Sequence, residues 1–334
     1  MKVLCIGSVT KDIFFPVKGA TIIDTPDDLL SQKKIAFELG AKLHSEGRYE
    51  TLGGCSVNVA SGLTKLDEEA GCYVLAGDDE IGNWAKKELV KSKIDTGLFK
   101  TFPGIYSDLS AIVVDENTGE RTIFSNHSAS EKFEVEKNEI GNPEWIFISD
   151  LSGDWKKNLD TIIAVAIEKK IHLAFNPRQR ALENDIQKNI QAISIMDILF
   201  VNKDEAIKVI SSKERDAQNE HLNDEKYLIE ELKKIGPKIV VITDGIRGAW
   251  GFDGKQIFHV DALVRKAVDT TGAGDAFASG FLAAHLKGKN IGEALQWGII
   301  NSSNSVTEYG GQKGLLTQEE INLKIQEVSV KLIN

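Results

Sequence analysis

The sequence predicts an α/β fold, a three-layer arrangement in which helices cover both faces of a doubly wound, mostly parallel sheet, with a small β lid added. Two observations carry this prediction. Short apolar runs bounded by Gly, Asp or Asn recur along the chain, as expected for parallel strands that are buried on both faces. Amphipathic helical patterns separate these runs, and such alternation is typical of a doubly wound sheet that binds ligands at the carboxyl ends of its strands.

The predicted strands and helices alternate along most of the chain. Each predicted strand is short, apolar and rich in residues that favour extended structure. The predicted strands are Val3–Ile6, Ala70–Leu75, Trp145–Ser149, His172–Phe175, Ile198–Val201 and Ile239–Thr243. The helices predicted between them are Ser56–Leu66, Ile81–Lys91, Lys156–Lys169, Ile186–Ala192 and Lys226–Ile235. The segment Gln318–Leu332 is predicted to be a final amphipathic helix.

Two segments depart from this alternation, and they are predicted to form the lid. Residues 103–126 show period-two alternation on either side of a turn at Asp115–Gly119, which indicates a hairpin of Tyr106–Val114 and Glu120–Ser125. Residues 12–52 supply the rest of the lid. The main domain then comprises residues 1–11, 53–102 and 127–334.

The lid segment 12–52 contains a strand at Ile13–Val17 and an insertion. A helix is predicted at Pro26–Leu39, because Thr25 and Pro26 form a helix-start pattern. This insertion would cap the substrate, contribute a dimer contact through the lid, or only elaborate the surface.

Composition excludes several classes of protein. A net charge of −10 argues against nucleic acid or an anionic membrane as the main partner. Three cysteines without CxxC spacing indicate neither a zinc site nor a disulfide framework. The chain has no signal-peptide pattern and no apolar run near the ~20 residues of a membrane span. A cytoplasmic protein is therefore expected.

The most informative motif is Asp-Thr-Thr-Gly-Ala-Gly-Asp at residues 269–275, which precedes a thoroughly apolar helical run. Gly272, Ala273 and Gly274 would lie at the helix N-terminus, where free backbone N–H groups and the helix dipole attract anions. Asp275 lies in the first turn and could accept a proton from an alcohol. The alternative is a common glycine turn followed by a helix with an N-terminal Asp.

Three further motifs occur upstream in the chain. Gly53-Gly54 precedes Asn58 at the start of a predicted helix, Asn202 and Glu205 follow one strand, and Thr243, Gly245 and Gly248 follow another. In this order the segments resemble the ribokinase-like (PfkB) family of carbohydrate kinases. The resemblance covers nearly the whole chain, and it implies ATP-dependent phosphorylation of a small sugar or nucleoside, with Asp275 as general base and Gly272–Gly274 as an anion hole.

The resemblance also implies a nucleotide site with bound cations. Thr243, Gly245 and Gly248 correspond to the nucleotide loop, in which Asp244 departs from the usual apolar residue. Asn202 and Glu205 would support nucleotide phosphate and Mg²⁺ through water, although they also fit a helix capping box. Asn301 falls near the adenine wall, two positions from the usual Asn, where close helix packing is an equal explanation. The residues implied for a K⁺ site are Asp269, Thr271, Ser305, Glu308 and Gly310.

For the acceptor, Asp12 would accept hydrogen bonds from sugar hydroxyls, and Gly53, Gly54 and Asn58 would shape the floor of the site. Arg178 follows a strand and would lie near the substrate or form a strand-end salt bridge. Relatives that act on sugar phosphates tend to carry a Lys between Gly54 and Asn58, and this chain has none there. An uncharged acceptor is therefore favoured over a phosphorylated one.

Two other functions on this fold fit parts of the sequence. A nucleoside kinase of the same family would stack a base on Phe14, Phe15 or Tyr106, and Arg121 and His127 of the lid are further candidates for substrate contact. A non-catalytic sugar-binding regulator is disfavoured by the intact Asp275 motif. P-loop and dinucleotide-binding motifs are both missing from the sequence.

Overall fold

In a computed structural model, which describes residues 1–18, 21–24, 33–116, 121–213 and 220–333, the predicted sheet is the centre of the molecule. Ten strands form it, in the spatial order β16-β15-β14-β13-β12-β11-β10-β1-β6-β7. These strands are β1 (Val3–Ile6), β6 (Ala70–Gly77), β7 (Asp95–Phe102), β10 (Trp145–Ser149), β11 (His172–Asn176), β12 (Ile198–Asn202), β13 (Ile239–Thr243), β14 (Ala249–Phe252), β15 (Ile257–Val260) and β16 (Val330–Ile333).

The sheet is parallel from β7 to β13 and antiparallel from β13 to β16. All six predicted parallel strands are present, and the prediction of a mostly parallel sheet is confirmed. The antiparallel end of the sheet includes β14, which the sequence pattern did not indicate.

A second sheet of four strands forms the lid, in the order β5-β2-β8-β9. Its strands are β2 (Thr10–Val17), β5 (Tyr49–Gly53), β8 (Leu109–Asp115) and β9 (Arg121–Asn126). The two strands of the predicted hairpin, β8 and β9, pair antiparallel, whereas β2 and β8 are parallel. Residues 117–120 of the predicted turn lie outside the described residues.

Helices cover both faces of the main sheet, and each face has its own hydrophobic core. One core contains residues of α1, α2, α8, α9 and α10, and the other contains residues of α3 to α7. The helices are α1 (Cys55–Lys65), α2 (Glu80–Lys91), α3 (Trp155–Lys169), α4 (Arg178–Asn184), α5 (Ile186–Ile193), α6 (Lys203–Ser211), α7 (Glu225–Ile235), α8 (Ala273–Leu286), α9 (Ile291–Ser305) and α10 (Gln318–Lys324).

The apolar sequence of helix α8 is explained by its burial, because the helix is buried on nearly every side. It lies between α1 and α9, and small residues allow the close approach. A Cβ added at Gly280 would come within 2.7 Å of the Trp297 carbonyl oxygen of α9, and one added at Gly62 of α1 would come within 2.1 Å of the Ser279 hydroxyl. This packing fixes the position of the helix N-terminus relative to the sheet.

The structure corrects two predicted helices. The predicted helix Pro26–Leu39 falls partly on residues 25–32, which lie outside the described residues. Its described part is not helical: β4 (Lys33–Ala36) pairs antiparallel with β3 (Thr21–Asp24), with Ile22 opposite Ile35. Cross-strand pairing therefore overrides the helix-start pattern.

The predicted final helix Gln318–Leu332 is also too long. Helix α10 ends at Lys324, a 3₁₀ turn follows at Ile325–Glu327, and the chain then forms β16. Strand β16 pairs with β15, so that Ile333 lies opposite Ile257 and Val330 opposite Val260. The β-branched residues complete the edge of the main sheet, which a local helical pattern could not reveal.

Candidate active site

Asp275 lies in the first turn of α8, at the carboxyl edge of the parallel strands, and only 4 % of it is exposed. Its Oδ2 accepts a hydrogen bond of 2.9 Å from the Asn58 amide of α1. Its Oδ1 accepts one from the Arg178 guanidinium, which also donates to the Ser149 hydroxyl at 3.2 Å. Burial raises the pKa of Asp275 above its ordinary value, against the opposing effects of Arg178 and Asn58. A carboxylate tuned upward in this way suits proton abstraction near neutral pH.

The glycines before Asp275 have different structural roles. Gly272 caps α8 with φ +75°, and a Cβ there would come within 2.5 Å of the Cα of Gly311. Gly274, by contrast, faces open space, because a Cβ there would meet no atom within 4 Å. The N-terminus of α8 therefore has room for an anion in front of its unpaired backbone N–H groups.

A polar pocket of about 280 Å³ lies on one side of this helix N-terminus. Residues of the main domain and of the lid both line this pocket. Its wall includes the predicted residues Asp12, Gly54, Asn58, Arg178 and Asp275. Gly53 and Gly54 make the close approach possible. A Cβ on Gly53 would strike the Asp12 carboxylate at 2.1 Å, and one on Gly54, where φ is +101°, would strike the Ser8 carbonyl oxygen at 2.3 Å.

The polar pocket is rich in carboxylates. Asp12, Asp108, Asp150 and Asp275 all line it. Burial raises the pKa of Asp12 to about 6, with Asp269 and Asp275 adding to the rise and the Ser110 hydroxyl opposing it. Carboxylate oxygens accept hydrogen bonds, so this wall suits a ligand with several hydroxyl groups.

An apolar pocket of about 310 Å³ lies on the other side of the same helix N-terminus. Ala273 and Gly274 line its edge. The predicted loop residues Thr243, Gly245 and Gly248 are in its wall, opposite Phe277 of α8 and Ile299 of α9. Gly248 has φ +97°, and a Cβ there would strike the Val260 carbonyl oxygen at 2.0 Å, so this loop requires glycine. The flat apolar surfaces and the nearby N–H groups fit a nucleotide.

Asp244, the departure within this loop, belongs to a charged network beneath it. It pairs with Arg247 of the same loop and lies 3.8 Å from the buried Lys203 ammonium. Glu225 accepts from Lys203 at 2.6 Å and from Arg247 at 2.9 Å. The loop is thus tied to α6 and α7 by charge pairs, which explains an Asp at this position.

Asn301 does not line the apolar pocket, which corrects its predicted adenine contact. It is fully buried, and its amide nitrogen donates to the Ala276 carbonyl oxygen at 2.9 Å. Its amide oxygen accepts from the Leu316 N–H at 2.9 Å. Asn301 therefore joins α8, α9 and the loop before α10, whereas Ile299, two positions earlier, faces the pocket.

Asn202 and Glu205 form the capping box that the sequence left open as an alternative. The Asn202 side chain accepts from the Glu205 N–H at 2.8 Å, and Glu205 accepts from the Asn202 N–H at 2.9 Å. Burial raises the pKa of Glu205. Capping uses the Oε2 oxygen of this carboxylate.

Asp269 is fully buried and connects two loops beside the N-terminus of α8. One of its oxygens accepts from the Thr271 N–H at 3.0 Å and the Thr271 hydroxyl at 2.7 Å, and the other accepts from the Gly310 N–H at 3.0 Å. The Ser305 hydroxyl donates to the Ser302 carbonyl oxygen, back within α9. Glu308 follows α9 and donates its N–H to the Ser305 carbonyl oxygen at 3.3 Å.

These features match a known family. The model of the pfkB family carbohydrate kinases matches residues 27–318 of the chain. The chain belongs to this family. It is a phosphotransferase with an alcohol group as acceptor, a sugar or nucleoside kinase.

The relatives of this kinase are named for different acceptors. An ATP-dependent ribose-1-phosphate kinase from Halopiger xanaduensis is 26% identical over 78% of this chain and 81% of its own length. A fructokinase from Vibrio alginolyticus is 26% identical over 80% of this chain and 90% of its own length. A ribokinase from Cryptococcus neoformans, solved with ADP, superposes with a TM-score of 0.77 at 20% identity, over 97% of this chain and 99% of that one.

Among the lining residues of the polar pocket that the sequence did not indicate are Ser8, Asp108 and Asp150. Asp150 directly follows β10, so the rule that placed Asn202 and Arg178 after strands would have found it. Asp108 precedes β8 in a loop without a recognisable motif, and only the fold brings it to the pocket.

None of the helices in the described ranges is long and apolar enough to cross a membrane.

Proposed function

We propose that this kinase transfers the γ-phosphoryl group of ATP to a hydroxyl group of a small uncharged sugar. One observation carries the proposal: the first turn of α8 is shared by both pockets. Asp275 lines the polar pocket, and Ala273 and Gly274 line the apolar pocket beside it. A donor in one pocket and an acceptor in the other would meet at this turn.

In this reaction the acceptor hydroxyl gives its proton to Asp275 while its oxygen attacks the γ-phosphorus, and ADP leaves. The backbone N–H groups of Gly272–Gly274 hold the negative charge on the transferring group. Arg178 and Asn58 orient the Asp275 carboxylate, because each donates to a different oxygen of it. Phosphoryl transfer depends mainly on such positioning and charge stabilisation.

Carboxylates in the polar pocket support an uncharged acceptor. A phosphate group on the acceptor would face Asp12, Asp108 and Asp150. Of the two arginines in the pocket, Arg178 pairs with Asp275, and Arg121 donates to the Thr270 hydroxyl and lies 3.9 Å from Asp269. Burying a phosphate dianion beside these carboxylates would cost several kcal/mol.

The same pocket supports a sugar over a nucleoside. Among its described lining residues there is no Phe, Tyr or Trp on which a base could stack. Phe14 is instead fully buried and packs against Tyr309, with ring centroids 5.7 Å apart. Tyr106 is 78% exposed and does not line the pocket.

ATP and Mg²⁺ are the cofactors that we propose. A ribokinase of the same fold was solved with ADP, which supports an adenine nucleotide as donor, and we place this nucleotide in the apolar pocket. Among the described residues there is no cluster of three or more metal-ligating side chains. This fits Mg²⁺, which keeps most of its waters and binds chiefly to nucleotide phosphates. Glu205 would hold one of those waters, and the ion would neutralise phosphate charge.

We also propose a K⁺ ion at the loop of Asp269, with Thr271, Ser305, Glu308 and Gly310 around it. Asp269 is fully buried, and the Nε atom of Arg121 lies 3.9 Å away, too far for a close ion pair. A monovalent cation would offset this buried charge and strengthen the neighbouring anion site. Replacing K⁺ by Na⁺ in the assay below is expected to lower turnover.

The experiment is an ADP-release assay with ATP and Mg²⁺ against pentoses, hexoses, sugar acids and nucleosides, with product mass as a second readout. We expect an ADP yield that depends on a sugar, and a product heavier than that sugar by one phosphoryl group. Phosphorylation of nucleosides alone would contradict the proposal.

A further inference from the structure

We infer that His127, oriented by Asp108, is an acceptor-binding residue of this kinase and donates a hydrogen bond from Nε2 to an oxygen of the sugar. The inference rests on the proposed function and adds a specificity residue to it. His127 directly follows β9, the edge strand of the lid, and lines the polar pocket.

Asp108 fixes the orientation of the His127 ring. It is 1% exposed, and its Oδ1 accepts from the N–H groups of Ala129 at 2.9 Å and Ser130 at 3.2 Å. Its Oδ2 lies 3.3 Å from His127 Nδ1. Because an ionised carboxylate only accepts hydrogen bonds, Nδ1 must carry the proton, and Nε2 is the ring nitrogen left for a ligand.

The other nitrogen-bearing side chains of the pocket each donate a hydrogen bond to the protein, although the Nε of Arg121 has no partner. Asn58 and Arg178 donate to Asp275, and Arg121 donates to Thr270. Within the described part of the chain, Nε2 of His127 has no protein partner. The pocket presents many acceptors in its carboxylates, and Nε2 of His127 adds a donor for a sugar oxygen.

Charges around His127 favour its protonated form. The hydrogen bond to Asp108 is the main cause of a pKa above the ordinary value, burial opposes it, and Asp150 adds to the rise while Arg180 of α4 opposes it. The same pocket also contains Asp12, Asp275, Arg121 and Arg178. When the ring loses its proton at higher pH, Nε2 can no longer donate, and affinity for the sugar falls.

The test is the acceptor KM as a function of pH between 6 and 9, measured with D-fructose or D-ribose, whichever has the higher kcat/KM. For the wild type we expect the KM to rise with pH above the pKa of His127. His127→Ala is expected to raise the KM about 10- to 100-fold at neutral pH, the range for one hydrogen bond to a charged group, with kcat nearly unchanged. His127→Gln keeps an N–H donor without titrating, so its KM is expected to stay close to wild type and to lose the rise.

A matched control comes from the opposite end of the sheet. His172, at the start of β11, also pairs with an aspartate, since its Nδ1 lies 3.2 Å from Asp197, but it lines neither of these two pockets. His172→Gln is expected to leave the KM and its pH profile unchanged. A flat wild-type profile, or an unchanged KM in His127→Ala, would overturn the inference while sugar phosphorylation persists. If no sugar is phosphorylated at any pH, the proposed function fails and the inference fails with it.

Discussion

The two pockets on either side of α8 are built from different chemistry. The polar pocket, proposed for the acceptor, is lined by carboxylates, hydroxyl groups, a histidine and two arginines. The apolar pocket, proposed for the nucleotide, presents Phe277, Ile299, Val306 and Leu263 with a few hydroxyls and Arg265. Directional polar contacts discriminate strongly between ligands, because an unmatched buried polar group is costly. Apolar walls bind a flat base by contact with its faces and form few hydrogen bonds to its polar edge. The acceptor should therefore be selected more strictly than the base of the donor.

The largest expected effect is at Asp275, which serves the acceptor side. Asp275→Asn removes the proton acceptor but keeps the shape of the helix turn, so turnover is expected to fall about 10²- to 10⁴-fold. Nucleotide affinity, measured by calorimetry with ADP, should change little. Glu80→Gln, at an exposed acid in the first turn of α2, is the matched control and should keep full activity. Turnover above a tenth of wild type in Asp275→Asn would show that another group takes the proton.

Gly274 lies where the two pockets meet, so a substitution there tests whether the phosphates bind at this position. Because a Cβ at this position meets no protein atom within 4 Å, Gly274→Val should fold normally and instead occupy the space of the phosphate. Nucleotide affinity is expected to fall about 10- to 100-fold, the equivalent of one lost hydrogen bond to a charged group. Gly141→Val, also in open space, controls for the added side chain. Unchanged ADP binding in folded Gly274→Val would place the phosphates elsewhere.

Asp12 should make acceptor binding in the polar pocket depend on pH. Its pKa in the folded protein is about 6, and only the ionised form can accept a hydrogen bond at both oxygens. The acceptor KM is therefore expected to fall as the pH rises through about 6. Asp12→Asn should raise the KM about tenfold and abolish this fall. The nucleotide KM should show no such transition, and an equal transition in both constants would break the contrast between the pockets.

The smallest effect is expected from a change of donor base. Among the described residues, no side-chain amide or carboxylate lines the apolar pocket. Asn301 is turned into the core instead. GTP and ITP should have kcat/KM values within about tenfold of that of ATP, as a mainly hydrophobic pocket discriminates weakly. Ile299→Asn, which restores an amide in the wall, should change the ranking of the three donors. A preference for ATP above a thousandfold would mean that backbone groups read the base.

The sequence predicted what local patterns encode. The buried parallel strands followed from apolar runs, and they were found where expected. The glycines before Asp275 predicted a helix start, which the structure also has, whereas an anion site there stays a prediction. Long-range pairing was not accessible: β16 forms because β15 presents an open edge, and Asn301 points inward because Ala276 and Leu316 supply its partners. Arg178 was predicted near the site, but its contact with Asp275 depends on the spacing of β11 and α8, which no local pattern gives.

The most direct test of the account is a side-by-side measurement of kcat/KM for uncharged acceptors and their phosphate esters, with ATP as donor. Fructose and ribose would be compared with fructose 1-phosphate, fructose 6-phosphate and ribose 1-phosphate. The carboxylates at Asp12, Asp108 and Asp150 predict a preference for an uncharged sugar of at least about a hundredfold, since an unpaired buried dianion costs several kcal/mol. A preference for any of the phosphate esters would contradict the account and would assign Arg121 or Arg178 to binding the ester.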